Sequence, residues 1–574
     1  MRLPISETVD PDLVSGTERE RAIARRISIG DMPTRSAATY GDRPAIVGDR
    51  RSVTYAELEN EANRLAHGLM ALGIRSREPV AVMSINCPEI VIGYLGAAKM
   101  GAAAMMINLL GGAANIVKAI RATGARVIVV HEDLLPQLHL IGAELSDHLE
   151  HVIVIGEAPG TGLSSLSGSR YWSWGEFQRL ADDVEGIDPG GPPDVVVADR
   201  QIAQVMFSSG TSADPKGVLT SHVSVVLAMH ANAAAVGFNW GGEPSVTTLV
   251  LPLFHTTAMN TIMLPMLSMG GTIHVLPGFD LERLGQTIVE SRTTHFVGLP
   301  IMIEGLLHWC DTNGHSLDHL TTLLYGMAPM KEGLRDLVSQ RLPDACVMLG
   351  SGMTEALPAG FLHWPDIDPD KRSSWGYGTA LTTTTVVEPG TGNVLAAGEA
   401  GELAYRGGNV MENYLQPEPT AFAGGWFHSA DIGSFDHDGI FWFVDRIKDV
   451  VKTGGENVST QSVEATLLDH PEIEEVAVIG KRDEEWGERV VAVVVPSGDI
   501  ADDPGRLADF IASVDRHGRE NLTSSHLPRE FIVTDALPRT GTGKVRKVEL
   551  RETMRDQDGH RSAGSRTVEL NGAE

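Results

Sequence analysis

A chain of 574 residues is too long for one ordinary hydrophobic core, so two or more domains are expected. Its balance, 42% hydrophobic and 21% charged, is that of a soluble globular protein. A formal net charge of -29 excludes a nucleic-acid binder, whose ligand calls for clustered Lys and Arg. Three widely spaced cysteines, Cys87, Cys310 and Cys346, give no disulfide framework and fit a reducing cytoplasm.

Met1 to Asp12 carries acids and prolines without an apolar core, so no signal peptide is expected. Val53 to Leu72 predicts a helix, because Leu58, Ala62, Leu65 and Leu69 recur at helical spacing. Pro79 to Met83 and Arg126 to Val130 read as short buried strands. Between them Ile90 to Leu110 is almost wholly apolar and long enough to span a bilayer. Lys99 in mid-run, Gly93, Gly96 and Gly101, and Pro88 just before it favour a buried helix leading into a buried strand, with no membrane span. Gly156 to Ser169 reads as a surface loop.

Ile202 to Phe207 is an apolar strand followed by Ser208-Ser209-Gly210-Thr211-Ser212-Ala213-Asp214-Pro215-Lys216-Gly217. Backbone N–H groups, hydroxyls and one ammonium on such a loop suit a polyphosphate. Strands follow at Thr248 to Pro252, Thr272 to Leu276 and Thr294 to Gly298, with helical stretches between them, which predicts parallel sheets layered by helices. His308, Cys310, His315 and His319 have a zinc-like spacing but sit at a helix end running into an Asp/Asn/Gly loop, and are expected to be a solvated surface. From about Gly376 to Asp445 short strands and turns dominate, predicting a small β unit.

Three further segments point to the same ligand as the Ser208 loop. Gly350-Ser351-Gly352-Met353-Thr354-Glu355 combines close backbone approach with a hydroxyl and a carboxylate suited to Mg²⁺ beside phosphates. Gly425 to Gly433 contains Asp431, an acid able to accept ribose hydroxyl protons. Leu537 to Lys544 resembles a Walker A ending, yet Pro538 and Val545 stand where that motif needs Gly and Ser/Thr. What remains there is a lysine flanked by glycines.

These segments, in this order, resemble the adenylate-forming superfamily of acyl-CoA synthetases, aryl-CoA ligases, luciferases and adenylation domains. The resemblance runs from about Val53 to Leu550 and includes Thr54-Tyr55, Leu251 to His255, and Arg446 through Gly454-Gly455-Glu456-Asn457. It implies an α/β fold: a large N-terminal domain of βα-layered sheets with a small β-barrel-like unit over 1–446, and a small mobile α+β domain over 447–555. The polar tail over 556–574 is expected to be disordered.

The resemblance also implies roles. Ser208, Ser209, Gly210, Thr211, Ser212 and Lys216 would close over the β- and γ-phosphates, and Thr354 and Glu355 would hold an α-phosphate oxygen and Mg²⁺. Asp431 and Arg446 would bind ribose; Met327, Ala328, Pro329, Gly350, Ser351, Gly352 and Met353 would form the adenine shelf. His255 would stand where carboxylate and thiol meet, Lys448 would be the hinge, and Lys544 the lysine of the adenylating conformation. Gly454 and Gly455 resemble glycines lining a pantetheine tunnel; His255, Met259, Val297, Tyr325 and Met327 would line the acyl pocket. Four departures from the family pattern stand out: Ser351 for the usual aromatic, Ala213 and Ala430 for glycines, and Thr256-Thr257-Ala258 after His255.

The implied reaction uses ATP and Mg²⁺ to adenylate a small carboxylic acid and then transfers the acyl group to coenzyme A. A carrier-protein phosphopantetheine or an amine as acceptor, nitrite activation for aryl-amine diazotisation, and a nucleotide sensor without catalysis are the alternatives. The acid, its chain length and the oligomeric state, a homodimer included, have no signature in the sequence.

Overall fold

The computed structural model describes residues 16–157, 166, 168–208, 216–238, 242–326, 330–358, 360–364, 369–483, 486–498, 504–539, 544–557 and 566–569. Two large sheets form the body of the molecule. One has eight strands, with Ala103–Met106 and Pro79–Met83 at its centre and Ile202–Phe207 beside them; the other has nine, running from Tyr377–Gly378 to Ser52–Thr54. Their central strands are parallel and buried, as in Val297 against Leu324 and Leu324 against Met348. Continuous apolar runs are what a strand covered on both faces requires.

The helix expected from Val53 begins two residues later. Ser52–Thr54 is a strand, and Thr54 caps the helix Tyr55–Ala71 in a reciprocal pair with Glu57. Its predicted stripe, Leu58, Ala62, Leu65 and Leu69, is fully buried. It packs on Pro88–Lys99 so closely that a Cβ on Gly96 would lie 2.8 Å from Ala62 O. Only glycine fits that crossing.

The apolar run thus resolves into a 12-residue helix and the strand Ala103–Met106. Among the described residues no helix is long and apolar enough to cross a membrane. Lys99 is tolerated there because its ammonium lies 2.8 Å from a Glu59 oxygen and 3.0 Å from Thr34 Oγ1.

The expected β unit is a five-stranded antiparallel sheet built on Gly401–Arg406 and Trp426–Phe435. Its core is aromatic: Phe361 stacks on Phe441, and Trp375 on Phe443 at 4.5 Å between centroids. Beyond Arg446 a six-stranded sheet carries its own core of Val451, Val463, Val478, Phe510 and Phe531.

The tail expectation needs correction. Arg566–Glu569 is a strand paired antiparallel with Glu530–Val533, in register from Glu530 with Glu569 to Val533 with Arg566. Thr567 and Val568 are β-branched and an open sheet edge was available to them. Most of the loop expected over Gly156 to Ser169 lies outside the described residues.

The zinc-like quartet is engaged elsewhere. His315 stacks on Trp309, His319 Nε2 faces Ile288 O at 3.1 Å, and Cys310 is buried in the core.

Candidate active site

The sequence segments singled out above converge because of strand direction. Ile202–Phe207 ends at Ser208, Thr322–Gly326 ends before Met327, Cys346–Ser351 leads into Gly352, and Val246–Leu249 leads towards His255. All are carboxyl ends, the side of an α/β sheet where ligands gather. Ser208 N donates to Lys216 O, so the base of the phosphate-loop candidate is closed as a hairpin. Ser209, Gly210, Thr211 and Ser212, and likewise Met327, Ala328 and Pro329, lie outside the described residues.

Thr354 and Glu355 open a short 3₁₀ turn and are nearly buried, 8% and 6% exposed. What fastens the carboxylate comes from a distant part of the chain. Tyr414 donates its hydroxyl to Glu355 Oε1 at 2.8 Å, and Met411 N donates to Glu355 O at 2.8 Å. Lys216 lies over the Tyr414 ring and 3.1 Å from Glu418. The strand Asn413–Tyr414 thereby ties the phosphate loop to the Glu355 turn.

Leu357 ends the turn in the left-handed region at φ 59°, a conformation that costs a side-chain-bearing residue about 1–2 kcal/mol. Asn232 secures it: Nδ2 donates to Leu357 O and to Asn260 O, each at 3.0 Å. Long-range clamps of this kind leave no local signature.

Asp431 and Arg446 face each other across an antiparallel pair, with Arg446 Nε 3.2 Å from Asp431 Oδ1. Burial raises the Asp431 carboxyl, and Arg446 and then Lys544 oppose that rise. Lys544 is therefore in this cleft. Its ammonium is pushed down to about 8, first by burial and then by Arg446, with Asp431 and Glu355 pulling the other way.

His255 is driven down to about 4 by burial and by Lys544, so its ring is neutral at pH 7. Its Nδ1 accepts from Thr257 N, and its buried Nε2 has no hydrogen-bond partner among the described residues. The cleft thus joins a cation, two acids, an arginine and a neutral imidazole.

His255 leads into a π-helix, Thr257–Met263, which carries Met259. Met259 and Val297 share the central core cluster. Tyr325 belongs instead to the cluster of Leu323, Phe296 and Met330 on the opposite sheet face. Strand alternation explains this, because Val297 pairs with Leu324, one residue before Tyr325. Of the expected pocket residues, then, Met259 and Val297 lie in one core cluster, Met259 N donates to His255 O at 3.1 Å, and Tyr325 lies in another cluster.

Gly454 and Gly455 both have positive φ, 58° and 85°, in the turn between Val451–Thr453 and Glu456–Val458. A Cβ on Gly454 would press on the half-exposed Trp486 ring at 2.8 Å. Lys448 is exposed and follows directly on the strand that carries Arg446.

A fold of this kind, with these charged groups gathered at the carboxyl ends of its strands, suits an adenylate-forming enzyme, and comparison with known proteins agrees. The model of the AMP-binding enzyme family matches residues 33–415, and that of the AMP-binding enzyme C-terminal domain matches 462–544. The chain belongs to the AMP-binding enzyme family.

It is 31% identical to a feruloyl-CoA synthase of Streptomyces sp over 533 residues, 92% of this chain and 99% of that protein. It is 29% identical to 4-coumarate–CoA ligase 2 of Solanum tuberosum, covering 90% and 92% of the two chains. The crystal structure of the anthranilate CoA ligase AuaEII with anthranoyl-AMP superposes with a TM-score of 0.80 at 26% identity, over 94% of this chain and 99% of that one.

Proposed function

We propose that this adenylate-forming acid–thiol ligase activates a compact aryl or arylpropenoic acid and passes it to coenzyme A. The observation that carries the reading is the charge set of the cleft, where Lys544 meets Glu355, Asp431 and Arg446. In the first step an acid oxygen attacks the α-phosphorus of ATP, the bond to pyrophosphate breaks, and an acyl adenylate forms. Negative charge gathers on the phosphoryl oxygens and the leaving group, and the Lys544 ammonium would offset it. Thr354 would donate to an α-phosphate oxygen, and Glu355 would supply the one protein carboxylate that Mg²⁺ on nucleotide phosphates typically uses. Ser208 to Lys216 would close on the terminal phosphates, while Asp431 and Arg446 hold the ribose.

In the second step the thiol sulfur attacks the acyl carbonyl, AMP leaves and the thiol proton passes to solvent. Lys544 must then vacate the cleft to admit the thiol. Rotation of a unit over 447–555 about Lys448, against a unit over 1–446, would accomplish that and bring the Gly454-Gly455 turn towards the thiol path. The acid class draws on the aromatic acids named for the feruloyl-CoA synthase, the 4-coumarate–CoA ligase and AuaEII, with a fatty acyl CoA synthetase also among the similar structures, and on the apolar Met259 and Val297.

Release of AMP across a panel of benzoates, cinnamates and fatty acids, with and without CoA or nitrite, tests the reading. CoA-dependent turnover of the aromatic acids is expected. Turnover confined to fatty acids overturns the acid class, and turnover with nitrite but no acid overturns the ligase.

A further inference from the structure

Ala430 has φ 62°, one of four non-glycine residues with positive φ among the described residues. Backbone of this kind is uncommon for a residue with a Cβ and persists where its surroundings over-determine it. Both polar groups of Ala430 are held: its N–H donates to Glu402 Oε1 at 2.9 Å, and its C=O accepts from Ile447 N at 2.9 Å. Glu402 is only 5% exposed. Its second oxygen lies 2.8 Å from His428 Nδ1, and His428 Nε2 faces Ala423 O at 3.3 Å. Both ring nitrogens thus face oxygens, Glu402 Oε2 and Ala423 O.

The strand here is bulged. Glu402 pairs with Ile432 and Ala404 with His428, so a step of two residues faces a step of four. Bulges of this kind re-aim a side chain. The residue re-aimed is Asp431, whose N–H is bound to Ser429 Oγ at 3.1 Å and whose carboxylate meets Arg446.

We propose that Glu402 is a positioning residue for nucleotide recognition: by clamping Ala430 in the left-handed conformation it aims the Asp431 carboxylate at the ribose hydroxyls of ATP. Glycine would take that conformation unaided, so an alanine there makes the clamp necessary. The inference rests on the ribose role proposed for Asp431.

The test uses the full chain in acid-dependent pyrophosphate exchange with ATP, 2′-deoxyATP and 3′-deoxyATP. Glu402→Met should raise KM for ATP about tenfold, the scale of one lost hydrogen bond to a charged group, with kcat lowered less than about threefold. It should also shrink the preference for ATP over the deoxynucleotides. Glu402→Gln, which keeps an accepting oxygen, should restore both, and so should Ala430→Gly added to Glu402→Met.

A Glu402→Met enzyme that keeps the full preference, or whose defect Ala430→Gly does not relieve, overturns the proposal and leaves Glu402 a core residue. A wild type indifferent to the ribose hydroxyls overturns the role of Asp431 instead. Should Glu402→Met not fold, Ala430→Val at this exposed position of the bulged strand carries the test. A β-branched residue resists left-handed backbone and should shrink the preference likewise; an unchanged preference overturns the clamp.

Discussion

Lys99 and Lys544 are both withdrawn from water, and the groups around them differ in kind. Lys99 joins two helices of the body, its side chain 3% exposed, with Glu59 at 2.8 Å and Thr34 at 3.0 Å. Burial lowers its affinity for protons and Glu59 is the main opposing influence. At Lys544 burial is reinforced by Arg446 before Asp431 and Glu355 answer it. The first arrangement is a settled ion pair; the second sets two cations, Lys544 and Arg446, against two acids, Asp431 and Glu355. Burial alone therefore does not mark a lysine as part of a site; the groups it meets tell the two apart.

The contrast can be broken most forcefully at Lys99. Lys99→Met leaves the Glu59 carboxylate without its cation and should cost about 3–5 kcal/mol of stability, read as a fall in the chemical-denaturation midpoint. Both half-reactions should then fall together, in proportion to the folded fraction.

Lys544→Ala should do the reverse. Unfolding should change little, acid-dependent pyrophosphate exchange should drop about 10²–10³-fold, and thioesterification of a supplied acyl adenylate should persist. Equal loss of both half-reactions would contradict the two-pose mechanism.

A pH series sharpens the comparison further. Because the docked Lys544 amine is depressed to about 8 from an ordinary 10.5, docking without nucleotide is most costly below pH 8 and grows easier as pH rises towards 10.5. Adenylation needs the ammonium, so at subsaturating ATP its rate should fall as pH rises through about 8. A pH–rate profile and an inter-domain distance probe would report these opposite trends, and Lys544→Ala should flatten both.

The smallest effect expected is at the adenine shelf. Ser351→Tyr should lower KM for ATP about two- to tenfold, the worth of one aromatic contact of ~0.5–1.5 kcal/mol.

Much of this was legible in the chain. Ile202–Phe207 is the strand its apolar run predicts, and the loops bearing Ser208, Gly352 and Asp431 fall at strand ends or bulges, as their glycines and hydroxyls suggest. Patterns that repeat locally declare themselves in sequence. Contacts between distant residues do not. Tyr414 holds Glu355 across 59 positions and Asn232 holds Leu357 across 125, and neither has a spacing to betray it.

Tyr325 falls in a cluster apart from Met259 and Val297 for a subtler reason. Membership of a strand is readable, but which face a residue takes depends on the register with its neighbours, Gly298 and Leu349. The Arg566–Glu569 strand was hidden because four residues amid polar sequence become a strand only when an edge is offered.

The stretch from Thr257 to Met263 winds five residues to a hydrogen bond instead of four, and so stores one surplus residue against an ordinary helix. Slack of that sort lets the segment after His255 lose one residue and return to ordinary winding while Leu264–Ser268 beyond it stays in place. On the proposed reading, in which Met259 faces the acid, a one-residue deletion there would act on size preference through the backbone, where an exchange of side chains would act through volume.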